Sequence, residues 1–402
     1  MFIARQPIFN KRMDVFGYEL LFRLDSGSTQ FGGVSSQEAT ATVVGGLFEA
    51  GINNIVEDKY AFINFDEYFI HSNSLEIISP DRLIIEILED VKIDDRLIKR
   101  LQDLRKMGYK IALDDFVKDY KEYPLVPLAR IIKFDLLQTP LKSIEADVKR
   151  ALIDKKIILA EKVETKKDFL QAKEMGFHLF QGYFFSRPNI VSKAGGKTSS
   201  KTQYTRMLWE LKKSEPSYDI LAGIIEKDVN LAYRFMRVIS YRSKKNLIDS
   251  IKKGLTYMGL DEIEKWISIL MFQDIGKGKP KELVRISLIR TKFAEEITVR
   301  TGLGKIKHEA SMMGLFSTLD ALLDQTMEEA LRDIALTQSI KDALIRHKGE
   351  LYTVYKLLIA YEKGDWDEVE IITIEENIDA NILSEEYLES IKWANEVSVL
   401  MA

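Results

Sequence analysis

The stretch Lys110-Ile111-Ala112-Leu113-Asp114-Asp115-Phe116 is the most informative part of the first half of the chain. A short apolar run stops at two adjacent carboxylates, and an aromatic residue follows them. This pattern is typical of a strand that ends at the carboxyl face of a (β/α)8 barrel, where such barrels carry their chemistry. If the interpretation is right, other strands of the first half should also end in acids, amides or a lysine.

Strand-like and helix-like segments alternate from residue 1 to about residue 188. Besides the opening stretch, predicted strands cover Val15–Arg23, Tyr60–Phe65, Leu83–Glu89, Ala129–Asp135, Lys156–Glu161 and Phe177–Phe185. Predicted helices cover Ser36–Ala50, Asp94–Met107 and Lys166–Met175. Because alternating strands and helices imply parallel pairing, the sequence predicts an α/β TIM-like (β/α)8 barrel.

The second half has a different pattern. From residue 205 onward, apolar residues recur at the three-and-four spacing of amphipathic helices. Between the halves, residues 191–204 are small, polar and basic, which is typical of a linker. The sequence therefore predicts a barrel domain over 1–190, a linker over 191–204 and an all-α helical domain over 205–402.

Composition excludes several classes of protein. The formal net charge of −4 gives no overall basic field, so nucleic acid is not expected as a partner. The chain has no cysteine, which rules out disulfides and thiolate metal sites. No run approaches the roughly 20 apolar residues of a membrane-spanning helix, and the first residues do not form a signal peptide. We therefore expect a cytoplasmic protein with no membrane partner.

Polar side chains end nearly every predicted strand of the first half. They are Glu19, Asn64, Glu86, Asp114, Asp115, Lys133, Asp135, Glu161 and Gln181. Carboxylate and amide oxygens are the ligands that Mg²⁺ and Mn²⁺ prefer, and two such ions sharing the aspartate pair would hold a phosphodiester in line. Lys133 would neutralise developing charge or orient the attacking water, and Arg23 would hold a phosphate. A single strand-end acid is more often a solvated residue or a helix N-cap, so only the set favours a site.

These residues resemble, in order, the motifs of the EAL domain, the bacterial cyclic di-GMP phosphodiesterase barrel. The similar segments are Gln6-Pro7-Ile8 (QPI), Glu19-Leu20-Leu21-Phe22-Arg23 (EALxR), Ile63-Asn64, Glu86-Ile87-Leu88-Glu89 (ExTE), Asp114-Asp115-Phe116 (DDF), Lys133-Phe134-Asp135 (KxD), Ala160-Glu161-Lys162-Val163-Glu164-Thr165 (AEGVET) and Gln181-Gly182-Tyr183 (QGY). The resemblance covers about 180 residues and implies hydrolysis of cyclic di-GMP to linear pGpG with Mg²⁺ or Mn²⁺.

The resemblance also implies a role for each residue. The implied metal ligands are Glu19, Asn64, Glu86, Asp114 and Asp115, and the implied catalytic residues beside the attacking water are Lys133 and Glu161. The implied substrate-binding residues are Gln6, Arg23, Asp135, Glu164 and Gln181. Glu89 is implied to support the loop after Phe116.

Two segments depart from the family pattern. Val117–Glu122 stands where the family has a glycine-rich loop, and Lys162 replaces the glycine of AEG. Glycine adopts backbone conformations that valine and lysine resist. The alternative is therefore a catalytically impaired EAL domain that acts as a cyclic di-GMP receptor or a protein-interaction scaffold. The domain is also short for its family, which predicts that a helix is trimmed.

The helical half resembles the HDOD family. Asp228, Leu231, Phe235, Val238 and Ser240 carry the first part of the resemblance, and Leu247–Ile251, Tyr257–Leu260, Gly314–Leu319 and Tyr361–Trp366 carry the later parts. The resemblance implies regulation, or binding of a protein partner that the sequence does not identify. Gln273–Lys277 is similar to an HDIGK metal motif with glutamine in place of histidine, and we interpret it as a chance match because the chain has no His-Asp dipeptide. The sequence leaves a homodimer open.

Overall fold

The computed structural model describes residues 2–23, 51–65, 67–88, 91–182, 199–243 and 250–401. The chain forms two compact units, of which the first contains Met1–Ser186 together with Ile359–Leu388, and the second contains Arg187–Leu358 and Glu389–Ala402. The predicted boundaries placed everything after residue 204 in the helical domain. The structure instead groups Ile359–Leu388 with the barrel, because aromatic residues of this segment pack on the first strand; Trp366, for example, stacks on Phe2 with 5.5 Å between ring centroids.

Eight strands form a closed barrel in chain order. They are β1 (Phe2–Asn10), β2 (Val15–Arg23), β3 (Tyr60–Phe65), β4 (Leu83–Ile87), β5 (Lys110–Leu113), β6 (Ile131–Asp135), β7 (Ile157–Glu161) and β8 (Leu179–Phe180). Neighbouring strands from β2 to β8 are parallel, whereas β1 is antiparallel to both β2 and β8. The predicted TIM-like barrel is confirmed, with this one reversed strand.

Short helices connect the strands of the barrel. They are α1 (Ile52–Val56), α2 (Glu67–His71), α3 (Asp95–Lys106), α4 (Glu145–Ile153) and α5 (Lys166–Met175), and a 3-10 turn covers Asn73–Ile77. The apolar spacing of α3 buries Leu97, Leu101 and Leu104 against the barrel. The connection from β5 to β6 contains no helix, which agrees with the trimmed helix that the short domain predicted. The predicted helix Ser36–Ala50 lies outside the described residues.

A layer of apolar side chains fills the inside of the barrel. Its members are Ile8, Phe62, Ile84, Ala112, Ile131, Leu159 and Leu179. Because side chains alternate along a strand, the residue two positions nearer the carboxyl face also points inward. Those next residues are Asn64, Glu86, Asp114, Lys133, Glu161 and Gln181, with Gln6 as their counterpart on the reversed strand β1. The apolar layer is thus the floor beneath a polar layer.

The second half of the chain is helical throughout its described residues, which confirms the predicted fold class. The helices are α6 (Ser199–Leu211), α7 (Tyr218–Glu226), α8 (Val229–Ser243), α9 (Ile251–Met258), α10 (Leu260–Ile275), α11 (Lys281–Arg300), α12 (Lys307–Phe316), α13 (Leu319–Leu323), α14 (Met327–Ala330), α15 (Gln338–Arg346), α16 (Glu350–Lys363), α17 (Trp366–Glu375) and α18 (Ala380–Met401). Helix α6 begins inside the predicted linker, whose residues before 199 are not described. Within the described ranges, no helix has the length and apolar character needed to cross a membrane.

Candidate functional site

Lys133 is completely buried at the centre of the polar layer. Its ammonium nitrogen Nζ lies 2.6 Å from Asp114 Oδ1, 2.7 Å from Glu86 Oε1, 3.0 Å from Glu161 Oε1 and 3.5 Å from Glu19 Oε1. At these distances the ammonium group of Lys133 forms ion pairs with Glu86 and Asp114. Four carboxylates from four other strands thus face one cation. When all are ionised, the excess negative charge favours binding of a further cation.

Burial changes how these groups ionise. Burial raises the pKa of Glu86 well above its usual range, although the nearby Lys133 partly offsets the effect. The pKa of Glu161 is raised in the same direction and for the same reason. Burial alone would lower the pKa of Lys133, but the surrounding carboxylates raise it well above its usual range. Lys133 is therefore a fixed positive charge at neutral pH, while the two glutamates retain protons more readily than exposed ones.

Two clusters of oxygen ligands lie at the carboxyl ends of the strands. One consists of Glu19, Glu86 and Asp114, the other of Asp114, Asp115 and Glu161, and within each the ligand atoms lie within 4.8 Å of one another. Glu86 Oε2, Glu161 Oε2 and Asn64 Oδ1 are buried and accept no hydrogen bond from any residue that the structure describes. Since buried polar atoms are normally paired, these oxygens fit a hard divalent cation such as Mg²⁺ or Mn²⁺.

Amide groups from neighbouring strands hold the carboxylate of Glu19. Gln181 Nε2 donates to Glu19 Oε2 at 2.6 Å, and Asn64 Nδ2 donates to Glu19 Oε1 at 3.4 Å. Gln181 Nε2 also lies 3.2 Å from Gln6 Oε1, and Gln6 Nε2 donates to the backbone oxygen of Lys363 at 3.1 Å. The two glutamines that the resemblance assigned to substrate binding thus also orient an acidic residue of the site.

Asp135 ends β6 and is almost completely buried. Its Oδ1 accepts the backbone N–H groups of Leu137 at 2.7 Å and Gln138 at 3.3 Å, and its Oδ2 accepts Lys162 Nζ at 2.5 Å. Burial alone would raise the pKa of Asp135, but these hydrogen bonds lower it below its usual range. Lys162 has a backbone φ of +50°, in the left-handed region that favours glycine. The position therefore suits the glycine that the family has there.

Aromatic rings anchor the loop that follows the aspartate pair. The ring of Phe116 makes edge contacts with Tyr120, Tyr123 and Phe134 at centroid distances of 6.2, 5.6 and 5.9 Å. Tyr120 is buried, and its hydroxyl donates to Asp154 Oδ2 at 3.2 Å. Sequence reasoning missed these supports, although aromatic residues at 116, 120 and 123 in a segment without helical caps were an available signal.

One predicted site residue lies outside the buried cluster, and two others fall outside the described parts of the structure. Glu164 is exposed in the loop between β7 and α5, outside both acidic clusters. Arg23 ends β2, but its side chain lies outside the described part of the structure. Glu89, predicted to support the loop after Phe116, also lies outside the described residues.

The segment of the helical half that is similar to a metal motif makes contacts within the helical unit. Asp274, near the end of α10, accepts the hydroxyl of Tyr204 at 2.5 Å and pairs with Lys277 at 2.8 Å. His308 Nε2 lies 3.1 Å from Glu264 Oε2. Among the described residues of this unit, no three histidine or acidic side chains come together as a metal cluster.

Fold and site together define a (β/α)8-barrel protein with a candidate divalent-cation centre and a helical second half. The family model of the EAL domain matches residues 64–188, and that of the HDOD domain matches residues 199–351. The chain belongs to the EAL–HDOD family, as two relatives of nearly the same length show.

Two relatives and one solved structure are similar to this chain. "Uncharacterized protein YuxH" of Bacillus subtilis is 34% identical over 98% of this chain and 98% of that protein. "Cyclic di-GMP phosphodiesterase CdgJ" of Vibrio cholerae is 30% identical over 100% of this chain and 94% of that protein. A manganese and cyclic di-GMP complex of Klebsiella pneumoniae BlrP1 is similar over 45% of this chain and 54% of that chain, with 23% identity and a TM-score of 0.39.

Proposed function

We propose that the barrel hydrolyses cyclic di-GMP to pGpG with Mg²⁺ or Mn²⁺, and that the helical domain regulates this activity or binds a protein partner. The observation that carries the proposal is the cluster of four carboxylates around the buried Lys133, in which Glu86 Oε2 and Glu161 Oε2 accept no hydrogen bond from the described residues. The name of CdgJ, a relative along the whole chain, supports the same substrate.

The proposed metal ligands divide into two sets that share Asp114. Glu19, Asn64, Glu86 and Asp114 would hold one ion, and Asp114 and Asp115 would hold the other, with Glu161 beside the second ion. A bound divalent cation would supply Lewis-acid charge at the phosphodiester. The residues themselves fix the ligand positions: the amide hydrogen bonds to Glu19 hold its carboxylate in one orientation before any ion binds.

Lys133 and Glu161 are the proposed catalytic residues. Because the pKa of Lys133 is raised, its side chain would act as a permanent cation that stabilises negative charge developing on the phosphoryl oxygens, not as a base. Glu161 has one buried oxygen without a hydrogen-bond partner in the described structure and a raised pKa, both of which suit acceptance of a proton from the attacking water.

The proposed substrate contacts surround this centre. A guanidinium group donates two parallel hydrogen bonds, so Arg23 at the end of β2 would bind a phosphate. Glu164 is exposed and would reach a part of the dinucleotide outside the barrel. Gln6, Asp135 and Gln181 would line the base of the substrate site, within the polar layer. Their existing hydrogen bonds restrict the orientation of their side chains.

A hydrolysis assay tests this proposal directly. Full-length protein, cyclic di-GMP and either Mg²⁺ or Mn²⁺ are incubated, and pGpG is separated by chromatography. We expect Glu19→Gln to lower the rate by at least about 100-fold, since loss of even an outer-shell partner of a metal ligand costs about 10- to 100-fold. The matched control is Glu145→Gln, an exposed acid on α4. A wild-type protein that yields no pGpG with either metal would rule out catalysis.

The second candidate is a receptor that binds cyclic di-GMP without turnover. Two features favour it. The segment Val117–Glu122 lacks glycine, and the side chain of Lys162 donates a hydrogen bond to Asp135, one of the proposed substrate-binding residues. Calorimetry on the same preparation discriminates between the two, because tight binding without product supports a receptor. Absence of binding would leave a protein-interaction scaffold, acting through the helical domain or as a homodimer.

A further inference from the structure

The segment Ile359–Leu388 belongs to the compact unit of the barrel, yet it lies beyond both family matches, which end at residues 188 and 351. We propose that this segment supports the candidate metal site of the barrel. It positions the carboxylate of Glu19 through the backbone oxygen of Lys363 and the side chains of Gln6 and Gln181. The inference rests on the proposed role of Glu19 as a metal ligand.

Aromatic packing fixes the segment against β1. The Phe2 ring is stacked on Trp366, with 5.5 Å between centroids and 21° between planes. The same Phe2 ring meets the edge of Tyr361 at 6.2 Å, and the Tyr361 ring lies 5.0 Å from that of Tyr387. Tyr361 has no exposed surface. Rings buried in this way contribute both apolar burial and specific geometry, so the segment has a defined position on the strand.

Gly364 brings the end of α16 into contact with β2. Its φ of +68° is in the left-handed region, and a Cβ built on it would lie 2.6 Å from Leu21 Cδ1. A larger residue would be strained by this φ, and its Cβ would force the Leu21 side chain to shift. Leu21 is two residues beyond Glu19 on β2, so its contact with Gly364 places the neighbouring Lys363 beside the strand that carries Glu19.

Three hydrogen bonds then connect Lys363 to Glu19. Gln6 Nε2 donates to the Lys363 backbone oxygen at 3.1 Å, Gln181 Nε2 lies 3.2 Å from Gln6 Oε1, and Gln181 Nε2 donates to Glu19 Oε2 at 2.6 Å. Gln6 and Glu19 are also opposite each other in the register of β1 and β2. Because its amide nitrogen is held by Lys363, Gln6 presents its oxygen to Gln181, which in turn fixes the carboxylate of Glu19.

The experiment is a double-mutant cycle with Mn²⁺ binding as the readout. The full-length proteins are the wild type, Gly364→Val, Gln6→Met and the double variant, and MnCl₂ is titrated by calorimetry well below the unfolding temperature. Each single variant should weaken Mn²⁺ binding by about 2- to 10-fold, the range expected for one hydrogen bond. The double variant should bind no more weakly than Gln6→Met alone, because both changes act through one path. Additive losses, or unchanged affinity in Gly364→Val, would overturn the inference.

Gly349→Val is the matched control. Gly349 precedes α16 and has a φ of +89°, but nothing lies within 4 Å of a Cβ built on it. It therefore carries the same backbone strain without the contact to β2, and its Mn²⁺ affinity should equal that of the wild type. If Gly364→Val does not fold, Gly364→Ala takes its place in the cycle.

Unfolding free energies of the same four proteins, measured in urea without metal, give a second cycle. The sum of the two single losses should exceed the loss in the double variant. A wild-type protein that binds no Mn²⁺ would defeat the proposed function, and this metal-free cycle would then decide alone whether Gly364 is coupled to Gln6. Additive unfolding losses in that case would overturn the inference as well.

Discussion

The ammonium nitrogen of Lys162 lies 2.5 Å from Oδ2 of Asp135, so one ion pair joins the end of β7 to the end of β6. Lys162 reaches this position from a left-handed backbone conformation with φ of +50°. A residue with a Cβ is strained there, and glycine is not. The ion pair therefore forms at a position where the backbone alone would favour the family's glycine.

Replacing Lys162 separates these two effects. Lys162→Ala and Lys162→Gly both remove the ion pair, but only glycine relieves the left-handed strain. We expect the glycine variant to be more stable than the alanine variant by about 1 kcal/mol in urea unfolding. Lys155 offers a control, because it is exposed and has a similar φ of +54°, so the same alanine-to-glycine difference should appear there. Equal stabilities of the Lys162 variants would contradict the strain argument.

Lys133→Met should strongly destabilise the metal-free protein at pH 8. The change leaves four carboxylates, three of them buried, without their shared cation, and removal of one partner of a buried ion pair costs about 3–5 kcal/mol. The loss should be smaller at pH 5, because Glu86 and Glu161 have raised pKa values and take up protons first. Chemical denaturation at the two pH values measures the difference.

The control for Lys133→Met is Lys149→Met on α4. Lys149 pairs with Glu145 at 2.6 Å, but both side chains are exposed, and such pairs contribute little to stability. Its stability should therefore match the wild type at both pH values. A Lys133 variant that behaves like this control would mean that the lysine does not balance the buried charges.

The polar layer of the barrel was predictable because strand periodicity determines it. Asn64, Glu86 and Glu161 each follow an inward apolar residue by two positions, so the alternation that buries one layer also directs the next one inward. The contact between Gln6 and Lys363 was not predictable in this way. The two residues are 357 positions apart, and no local pattern relates them.

Domain grouping was the least predictable aspect of the fold. Tyr361 lies at helical spacing among the apolar residues of α16, and Trp366 does so at the start of α17, which indicates buried helix faces but not the surface that buries them. The structure packs both rings on Phe2 of the barrel. The ion pair between Lys162 and Asp135 was not predictable for a similar reason, since the sequence showed only that lysine replaces the family's glycine.

Gly314→Ala should destabilise the helical half. A Cβ at Gly314 on α12 would lie 2.3 Å from the backbone oxygen of Arg290 on α11, and a backbone atom cannot move aside without shifting its helix. Overpacking of this kind costs about 1–3 kcal/mol. Gly304→Ala is the matched control, since nothing lies within 4 Å of its Cβ position. Urea denaturation of both variants gives the comparison, and equal midpoints would show that the two helices are not in close contact.

Glu86 should make the metal-free protein less stable as pH rises. The usual value for the glutamate pKa is 4.5, and burial raises the pKa of Glu86 well above it in the folded state. Below pH 4.5 both states are protonated; above it the unfolded chain ionises first, so folding stability falls until the folded pKa is passed. Glu86→Gln removes this dependence, which is worth up to about 1.4 kcal/mol per pH unit.

Thermal unfolding with a chelator from pH 5 to pH 8 measures the effect of Glu86. The unfolding temperature of the wild type should fall relative to that of Glu86→Gln as pH rises, with Glu161 leaving a smaller residual slope in the variant. Addition of Mn²⁺ should reverse the trend in the wild type, because the ion binds the ionised carboxylates and stabilises the folded state. Parallel pH profiles for the two proteins would mean that Glu86 ionises normally. They would contradict the assignment of its buried oxygens as cation ligands.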